Sequence, residues 1–154
     1  RWQDTNGNLA AVMTTLIEHK GSWQSERQKF KTPREFMVST LRSIGLEQKS
    51  ARGFLTGLIN HLTEMGQAPF GAGSPAGYST YAEDWSGSDA LIKRIDWVNR
   101  LVTVSPKSLL SAVDLAQQLF ADDISERTLK VLKGAETARQ AYTLLFMSPE
   151  FQRR

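Results

Sequence analysis

Nitrogen and carboxylate ligands for a metal ion are scarce in this sequence. The only histidines are His19 and His61, and the absence of cysteine removes thiolate sites and cysteine nucleophiles together. His61 and Glu64 lie one helical turn apart and could share one ion. A carboxylate site in a helical bundle, however, needs several glutamates and a second Glu/His pair on a facing helix, which the sequence lacks. The sequence therefore predicts no metal centre, and we interpret His61 as a hydrogen-bonded structural residue.

A serine nucleophile is the second chemistry to test, because Ser74 lies in the glycine-rich stretch GAGSPAG. A nucleophile elbow has glycines two positions before and after its serine, whereas Ala72 and Ala76 stand there in this sequence. The same stretch matches a loose dinucleotide-binding pattern, but a helix rather than a strand is predicted before it, and Pro75 interrupts it. These mismatches exclude both motifs, and no cofactor is expected. A serine hydrolase built on Ser74 stays open as an alternative.

Paired carboxylates could provide general acid–base catalysis at three places. Glu83–Asp84 and Asp122–Asp123 lie in predicted turns, where acidic residues commonly cap helices. Asp96 lies within a predicted helix and has Lys93, Arg94 and Arg100 as near neighbours. We interpret this last group as an exposed face of ion pairs rather than as a catalytic site.

The segment 66–87, GQAPFGAGSPAGYSTYAEDWSG, combines glycine, proline and aromatic residues and contains no aliphatic side chain larger than alanine. Aromatic rings interleaved with glycines can form a platform that stacks on a sugar or a peptide. The same rings can instead anchor an irregular loop onto a helical body, and the pattern favours this structural interpretation. The candidate residues for binding a ligand or a partner are Phe70, Ser74, Tyr78, Tyr81 and Trp85.

The charge balance limits the classes of ligand and partner. The 154 residues carry 19 Lys and Arg against 16 Asp and Glu, a net charge of +3. The basic residues are scattered. Their densest cluster is Arg27, Lys29, Lys31 and Arg34, and Arg153 and Arg154 form a separate pair at the C-terminal end of the sequence. Nucleic acid requires a focused stripe of positive charge, so this pattern disfavours it and leaves it as a third hypothesis. No apolar run approaches the roughly 20 residues of a membrane helix, so no membrane span is expected.

Apolar residues recur with a helical period along most of the chain, and no segment alternates in the manner of a β-strand. The pattern predicts a single all-α domain over residues 1–154. It is an irregular bundle of six or seven helices, with the long glycine- and aromatic-rich loop between the third and fourth. The clearest boundaries belong to the second helix. There Thr32 and Glu35 form a capping box around Pro33, and Gly45 ends the helix.

The same periodicity predicts which helix faces are buried. In the first helix the apolar face consists of Leu9, Val12, Met13, Leu16 and Ile17. In the fourth helix, SDALIKRIDWVNRLVTV, the residues expected to point inward are Leu91, Ile92, Ile95, Val98 and Val102. Ser50 is expected to begin the third helix, Ser105 with Pro106 the fifth, and Ser148 with Pro149 a short C-terminal stub.

Several of these segments together resemble one known family. FKTPREFMVSTLRSIG, LTEMGQAPFGAGSPAGY, LIKRIDWVNRL and LLFMSPEFQRR occur in this order. They resemble the C-terminal part of a bacterial family catalogued as domain of unknown function eighteen hundred. The resemblance runs from about Asn8 to Arg154, with its most distinctive pieces at residues 31–35, 66–70, 74–77 and 148–154. Segment 105–135 matches poorly, and the family more often has tryptophan where Tyr78 stands.

The resemblance implies a largely helical and commonly exported protein, in many cases encoded beside a second family similar to alkaline phosphatases and sulfatases. It implies a periplasmic or secreted location, a protein partner, and a chain that is the C-terminal portion of a longer protein. It supplies no catalytic residues. We therefore expect a non-catalytic interaction or scaffold module, whose 66–87 loop contacts a partner or a missing N-terminal half. The alternative is a hydrolase acting on cell-surface polymer, in which Ser74, His61 and Asp84 would meet and the missing half would share the active site. The oligomeric state is left open.

Overall fold

The computed structural model describes residues 1–23, 27–45, 57–104 and 110–154. These residues form α-helices and three short 3-10 helices, and their only β-structure is an isolated backbone bridge between Phe30 and Arg153. The α-helices of the described residues are α1 (Leu9–Glu18), α2 (Pro33–Ser43), α3 (Leu58–Glu64), α4 (Ser88–Val104), α5 (Ala112–Phe120), α6 (Glu126–Lys133), α7 (Ala138–Phe146) and α8 (Pro149–Gln152). The all-α prediction is confirmed, and α8 is the predicted C-terminal stub.

Helix α2 begins and ends where its sequence predicts. The Thr32 hydroxyl accepts a hydrogen bond from the Glu35 N–H, and the Glu35 carboxylate accepts one from the Thr32 N–H at 3.0 Å. Pro33 occupies the first turn, and Gly45 follows the helix with φ +58°, a left-handed conformation that glycine adopts without strain. These caps fix the direction in which the chain enters and leaves α2.

The core contains buried apolar residues of α2, α4, α5, α6, α7 and the short α8. Helix α7 packs along α4, α5 and α6. The ring of Phe151 in α8 lies 6.1 Å from Phe36, 6.4 Å from Phe120 and 4.9 Å from Phe146, measured between centroids. Such edge-to-face pairs contribute about 0.5–1.5 kcal/mol each beyond the area they bury. Since all four rings are buried, the C-terminal stub is a structural part of the core.

The residues before α2 pair with the residues after α8. The Lys29 N–H donates to the Arg154 carbonyl and the Arg154 N–H donates back to the Lys29 carbonyl, while the Lys31 N–H donates to the Gln152 carbonyl at 2.8 Å. We call this antiparallel pairing of residues 29–31 with 152–154 the C-terminal strap. It fastens two segments from distant parts of the sequence side by side.

The inward face of α4 differs from the predicted one. Val98 is buried as expected, but Ile92 is 57% exposed, and the other buried residues of this helix include Arg94, Trp97 and Leu101. The inward prediction for Ile92 was wrong, and so was the assignment of Arg94 to an exposed face of ion pairs. Apolar residues of α4 occupy more than one stripe along the helix. The Trp97 ring packs edge-on against the Phe36 ring, with 5.7 Å between their centroids. The stripe of α4 that contains Trp97 therefore faces the core.

Helix α1 carries an apolar face that is not buried against the described core. Its predicted cap is confirmed, since the Asn8 side chain accepts a hydrogen bond from the Ala11 N–H at 3.0 Å. The apolar residues of α1 that are more than half exposed are Leu9, Met13, Leu16 and Ile17. The helix contacts the 3-10 helix Lys20–Trp23 that follows it. Its amphipathic pattern therefore predicted the helix correctly, while the face it defines is open to solvent in the described structure.

Two predicted helix starts, at Ser50 and at Ser105–Pro106, lie outside the described residues. Within the described residues, α5 begins after Ser111, whose hydroxyl accepts a hydrogen bond from the Asp114 N–H. A search of the described helices finds none with both the length and the apolar character needed to cross a membrane.

Candidate functional site

The 66–87 loop is held in shape by two of the five candidate residues. The Tyr78 hydroxyl donates to the Ala68 carbonyl at 2.6 Å, and the Trp85 indole N–H donates to the Ser79 carbonyl at 2.9 Å. The two rings lie 6.1 Å apart, and Trp85 is only 5% exposed. Tyr78 and Trp85 therefore hold the loop closed on itself.

Gly71 makes room for this anchoring. A Cβ atom at this position would lie 3.1 Å from the Tyr78 hydroxyl oxygen and 3.0 Å from the Ala68 Cβ. Any larger residue would push the tyrosine away from the carbonyl that it binds. Close packing of the ring thus explains one of the glycines in this segment.

The other three candidate residues face solvent. Phe70 is fully exposed (109%) and Tyr81 is 73% exposed. Phe70 also has φ +58°, a left-handed conformation that is rare for a bulky residue and costs on the order of 1–3 kcal/mol. Ser74 is exposed, and its hydroxyl accepts a hydrogen bond from the Ala76 N–H at 3.2 Å.

The residues considered for metal binding and for hydrolysis are placed as follows. His61 Nδ1 lies 3.1 Å from Glu64 Oε2, so the one-turn pair forms. Among the residues that the structure describes, no group of three or more histidine, aspartate or glutamate side chains could hold a metal ion. Asp84 ends the 3-10 helix Ala82–Asp84. Ser74, His61 and Asp84 are all absent from the described lining of the cleft that follows.

A cleft of about 810 Å³ opens beside α2. Four parts of the chain line it: the segment 27–32, one face of α2, the loop with Gln67 and residues 78–80, and the ends of α5 and α8 with Arg154. Tyr78 is the only one of the five candidate residues in this lining, so the loop forms one wall of the cleft. A volume of this size falls within the range of about 300–1,000 Å³ that is typical of small-molecule sites.

Helix α2 presents two faces of opposite character. The residues that line the cleft recur at spacings of three and four and are Glu35, Val38, Ser39, Arg42 and Ser43. The residues buried on the other side include Phe36, Met37, Thr40 and Ile44. The first-turn amides are already engaged, because the Arg34 N–H donates to the Gln67 side-chain oxygen at 2.7 Å and the Glu35 N–H donates to Thr32. The positive charge of the cleft therefore comes from side chains and not from the helix terminus.

Basic side chains dominate the lining of the cleft. The six basic lining residues are Arg27, Lys29, Lys31, Arg34, Arg42 and Arg154. Glu35 is the only acidic residue of the described lining, and it pairs with Arg154 at 2.5 Å. Arg27 pairs with Asp123 at 3.3 Å. Within the described residues, the other four basic residues form no ion pair with a carboxylate.

Lys31 lies deepest among the basic lining residues. Its ammonium group is 3.9 Å from the centroid of the Phe151 ring and donates to the Ser39 hydroxyl at 3.2 Å. Burial, reinforced by the charge of Arg27, lowers the pKa of Lys31 to about 8, although the Glu35 carboxylate acts in the opposite direction. Lys31 is thus a half-buried cation with an excess of positive charge around it.

Arg94 adds a buried positive charge next to this point. Its guanidinium carbon lies 4.8 Å from the Phe30 ring centroid and 4.9 Å from that of Phe36. It donates hydrogen bonds to the Lys31 carbonyl at 2.7 Å and to the side-chain oxygen of Gln152. These described partners are neutral, and burial lowers the pKa of Arg94 to about 10. The charge of Arg94 is therefore balanced by dipoles and rings, and not by a described carboxylate.

Reasoning from sequence found half of this cleft. It identified Arg27, Lys29, Lys31 and Arg34 as a cluster but treated the basic residues as scattered. The structure adds Arg42 and shows that Arg154, from the C-terminal pair, lies in the same cleft. The helical spacing of Arg42 from Glu35 was a signal that could have been used. Nothing local in the sequence brings Arg154 beside Lys29, since that proximity depends on the strap.

Comparison with known protein families gives a match over nearly the whole chain. No curated protein and no solved structure matches this chain. The family model described as "Protein of unknown function (DUF1800)" matches residues 1–153. The resemblance indicated by residues 31–35, 66–70, 74–77 and 148–154 is thereby confirmed, and the chain belongs to this family of proteins of unknown function, DUF1800.

Proposed function

We propose that this chain is a non-catalytic interaction module that binds a partner protein through the exposed aromatic residues of the 66–87 loop. The observation that carries the proposal is Phe70, a fully exposed phenylalanine in a left-handed conformation. A residue of this kind contributes no packing energy to the free protein and adds backbone strain to it. Strained residues on an otherwise fixed loop are concentrated at binding and switching sites.

The expected contact is an aromatic anchor inserted into an apolar pocket of the partner. Burial of the Phe70 ring would contribute about 1.5–3 kcal/mol to binding. Tyr81 supplies a second exposed ring with a polar end, a residue type enriched at the centres of interfaces. Because Tyr78 and Trp85 already fix the loop, binding would lose less conformational entropy than it would with an unanchored loop.

Site-specific photo-crosslinking in the native bacterium tests this proposal. A benzophenone-bearing phenylalanine analogue is placed at position 70, at position 81 or at the control position 131, one per variant. Val131 is a suitable control because it is an exposed apolar residue on α6 rather than in the loop. We expect positions 70 and 81 to yield the same protein adduct and position 131 not to yield it. The same adduct at all three positions, or none at position 70, would contradict the proposal.

The location and context implied by the family resemblance are part of the proposal. We place the protein in the periplasm or outside the cell, with a partner that is a separate protein or an N-terminal portion of the same polypeptide. Fractionation of the native bacterium followed by immunoblotting tests the location. Recovery of the protein with cytoplasmic markers alone would contradict an exported role. The length of the immunoreactive band also distinguishes a longer polypeptide from a free domain.

A further inference from the structure

We propose that the cleft beside α2 is a binding site for a small molecule that carries two or more tetrahedral oxyanion groups, phosphate or sulfate. This site is distinct from the exposed anchors Phe70 and Tyr81, neither of which lines the cleft. It is therefore independent of the proposed partner interface, and either proposal can fail without the other.

The first argument is the charge of the cleft. Lys29, Lys31, Arg34 and Arg42 line it without an ion-pair partner among the carboxylates that the structure describes. Arginine and lysine side chains are the usual ligands of phosphate and sulfate, with arginine able to donate two parallel hydrogen bonds to one group. An anion in this cleft would be surrounded by donors that already face it.

The second argument is that part of this positive charge is buried, although burial removes water that would otherwise solvate it. Lys31 is half-buried against the Phe151 ring, and Arg94 is buried directly behind the Lys31 carbonyl. Partly buried charges interact more strongly with a ligand than fully solvated ones, because water and salt screen them less. A bound anion would relieve the repulsion that Lys31 experiences from Arg27, Arg94 and Arg154.

The third argument is the spacing of the donors along α2. Arg34 and Arg42 are eight residues apart, which places their backbones about 12 Å apart along the helix axis. Ser39 and Ser43 line the same face, but their hydroxyls already donate to the Phe36 and Ser39 carbonyls, so the free donors along α2 are the two arginines. Donors spread over this length favour a ligand with more than one anionic group, and the cleft volume of about 810 Å³ accommodates such a small molecule.

A nucleic acid is the competing polyanion, and the shape of the site disfavours it. Duplex DNA carries one charge per roughly 1.7 Å of its axis and is bound by a basic stripe that follows the backbone. The described cationic lining instead gathers in one cleft with walls from the loop and the strap. A ligand confined between those walls fits this arrangement better than an extended strand does.

Calorimetric titration with defined anions tests the proposal. The probes are tripolyphosphate and ethylene glycol bis-sulfate, with orthophosphate for comparison, at constant ionic strength and without divalent cations. We expect one-to-one binding of at least one of the two larger probes, tighter than orthophosphate. The stronger of the two probes identifies phosphate or sulfate as the preferred group. Failure of both to bind saturably would overturn the proposal.

Matched charge variants assign the binding to the cleft. Arg34→Gln/Arg42→Gln removes two exposed charges from the cleft, and Arg127→Gln/Arg139→Gln removes two exposed charges from α6 and α7. The first variant should weaken binding about tenfold or more, because each arginine donates charged hydrogen bonds to the ligand. The second should change it by less than about twofold, as expected for screened charges at a distance. Equal weakening by both variants would show non-specific charge attraction and overturn the proposal.

The pH dependence of bis-sulfate binding tests the role of Lys31, because the charge of this probe is constant. The charged groups acting on Lys31 are Arg27, Glu35, Arg94 and Arg154, and its pKa is about 8. Affinity should fall between about pH 7 and about pH 9 as Lys31 loses its proton. In Lys31→Met the affinity should be lower at about pH 7 and nearly independent of pH over the same interval. A wild-type affinity that does not change would contradict a contact with Lys31.

One further arm addresses the nucleic-acid alternative. A duplex of about 20 base pairs is titrated under the same conditions at two salt concentrations. Binding far tighter than that of the small probes, with a steep salt dependence that Arg34→Gln/Arg42→Gln reduces, would overturn the small-molecule proposal in favour of nucleic acid. Weak duplex binding supports the small molecule.

Discussion

A buried arginine without a described carboxylate partner is the most unusual single residue in this structure. Arg94 has no exposed surface, and its charge is met by two aromatic rings, one backbone carbonyl and one amide oxygen. It links α4 to both halves of the C-terminal strap, because its acceptors belong to Lys31 and Gln152. Arg94 thus joins α4 to the strap, and this role could not be read from a sequence position that follows Lys93 and lies two residues before Asp96.

Replacing Arg94 tests its structural role. Arg94→Met keeps much of the volume but removes the donor from one buried and one partly buried acceptor, so we expect a loss of about 1–3 kcal/mol in the free energy of unfolding. Arg100→Met is the matched control, since Arg100 is exposed on the same helix, and it should change stability by less than about 0.5 kcal/mol. Urea denaturation followed by circular dichroism measures both. Equal losses of unfolding free energy in the two variants would rule out a specific structural role for Arg94.

Glu150 provides a second link at the level of single residues. Its carboxylate accepts hydrogen bonds from the Ser125 N–H and hydroxyl and from the Thr128 hydroxyl, and so ties α8 to the N-terminal turn of α6. Burial alone would raise the pKa of this carboxyl group, but these hydrogen bonds outweigh it, and the pKa is lower than the ordinary value. The charged form therefore stabilises the fold.

The pH dependence of stability should report this link. A lowered pKa in the folded state contributes stability above the ordinary glutamate pKa and loses it as the pH falls through the folded-state value. Between about pH 5 and about pH 3, Glu150→Gln should lose less stability than the wild type, while being less stable than the wild type at neutral pH. Glu136→Gln, at an exposed glutamate, should follow the wild-type curve. Parallel curves for Glu150→Gln and the wild type would contradict this assignment.

At the level of elements, the 66–87 loop shows how a glycine-rich segment can still be ordered. Tyr78 and Trp85 close it on carbonyl oxygens within the loop, and Gln67 joins it to the first turn of α2. The rings that hold the loop are buried or half-buried, and those that face outward are free to meet a partner. Structural anchoring and partner binding are therefore carried by different residues of the same loop.

A pair of tyrosine-to-phenylalanine substitutions separates these roles. Tyr78→Phe removes the hydrogen bond to the Ala68 carbonyl, worth about 0.5–1.5 kcal/mol, and should speed amide hydrogen exchange in peptides covering 66–87. Tyr81→Phe should leave exchange unchanged, since the Tyr81 ring is 73% exposed and its hydroxyl donates to no residue that the structure describes. Mass spectrometry of the exchanged peptides distinguishes the two. Identical exchange in both variants would mean that the Tyr78 hydroxyl does not hold the loop.

The elements also show where sequence reasoning succeeded and where it could not. The bounds of α2 were predictable because Thr32, Glu35 and Gly45 act locally, through hydrogen bonds and backbone conformation within a few residues. The inward face of α4 was not, because Ile92 and Trp97 both belong to apolar stripes of the helix, and only tertiary contact decides which stripe is buried. The basic cleft was half predicted for the same reason: its cluster around Lys31 is local, and its strap is not.

At the scale of the whole molecule, α8 and the strap join elements that are distant in the sequence and so complete the fold. The Phe151 ring contacts rings from α2, α5 and α7, so it joins elements that are far apart in sequence. The strap then closes over Arg94. A helix of only four residues thus packs against three other helices and contributes to the stability of the whole fold.

Two phenylalanine-to-alanine substitutions test how much α8 contributes to the stability of the fold. Phe151→Ala removes a buried ring at the meeting point of the core and should cost about 3–5 kcal/mol of unfolding free energy. Phe70→Ala removes a ring that contributes no described packing and should change stability by less than about 0.5 kcal/mol. Thermal and urea unfolding measure the difference. A stability loss in Phe70→Ala as large as that in Phe151→Ala would mean that the loop ring packs in solution.

The strap also has a consequence for the timing of biosynthesis. The cleft takes its walls from segment 27–43, from the loop and from residues 151–154, so a ribosome must synthesise the last of these before the site can exist. Contacts of such wide sequence separation form late in folding. A ligand of the cleft would therefore bind only chains in which residues 151–154 have been synthesised and folded into place, and its binding would favour the closed fold over any partly folded form.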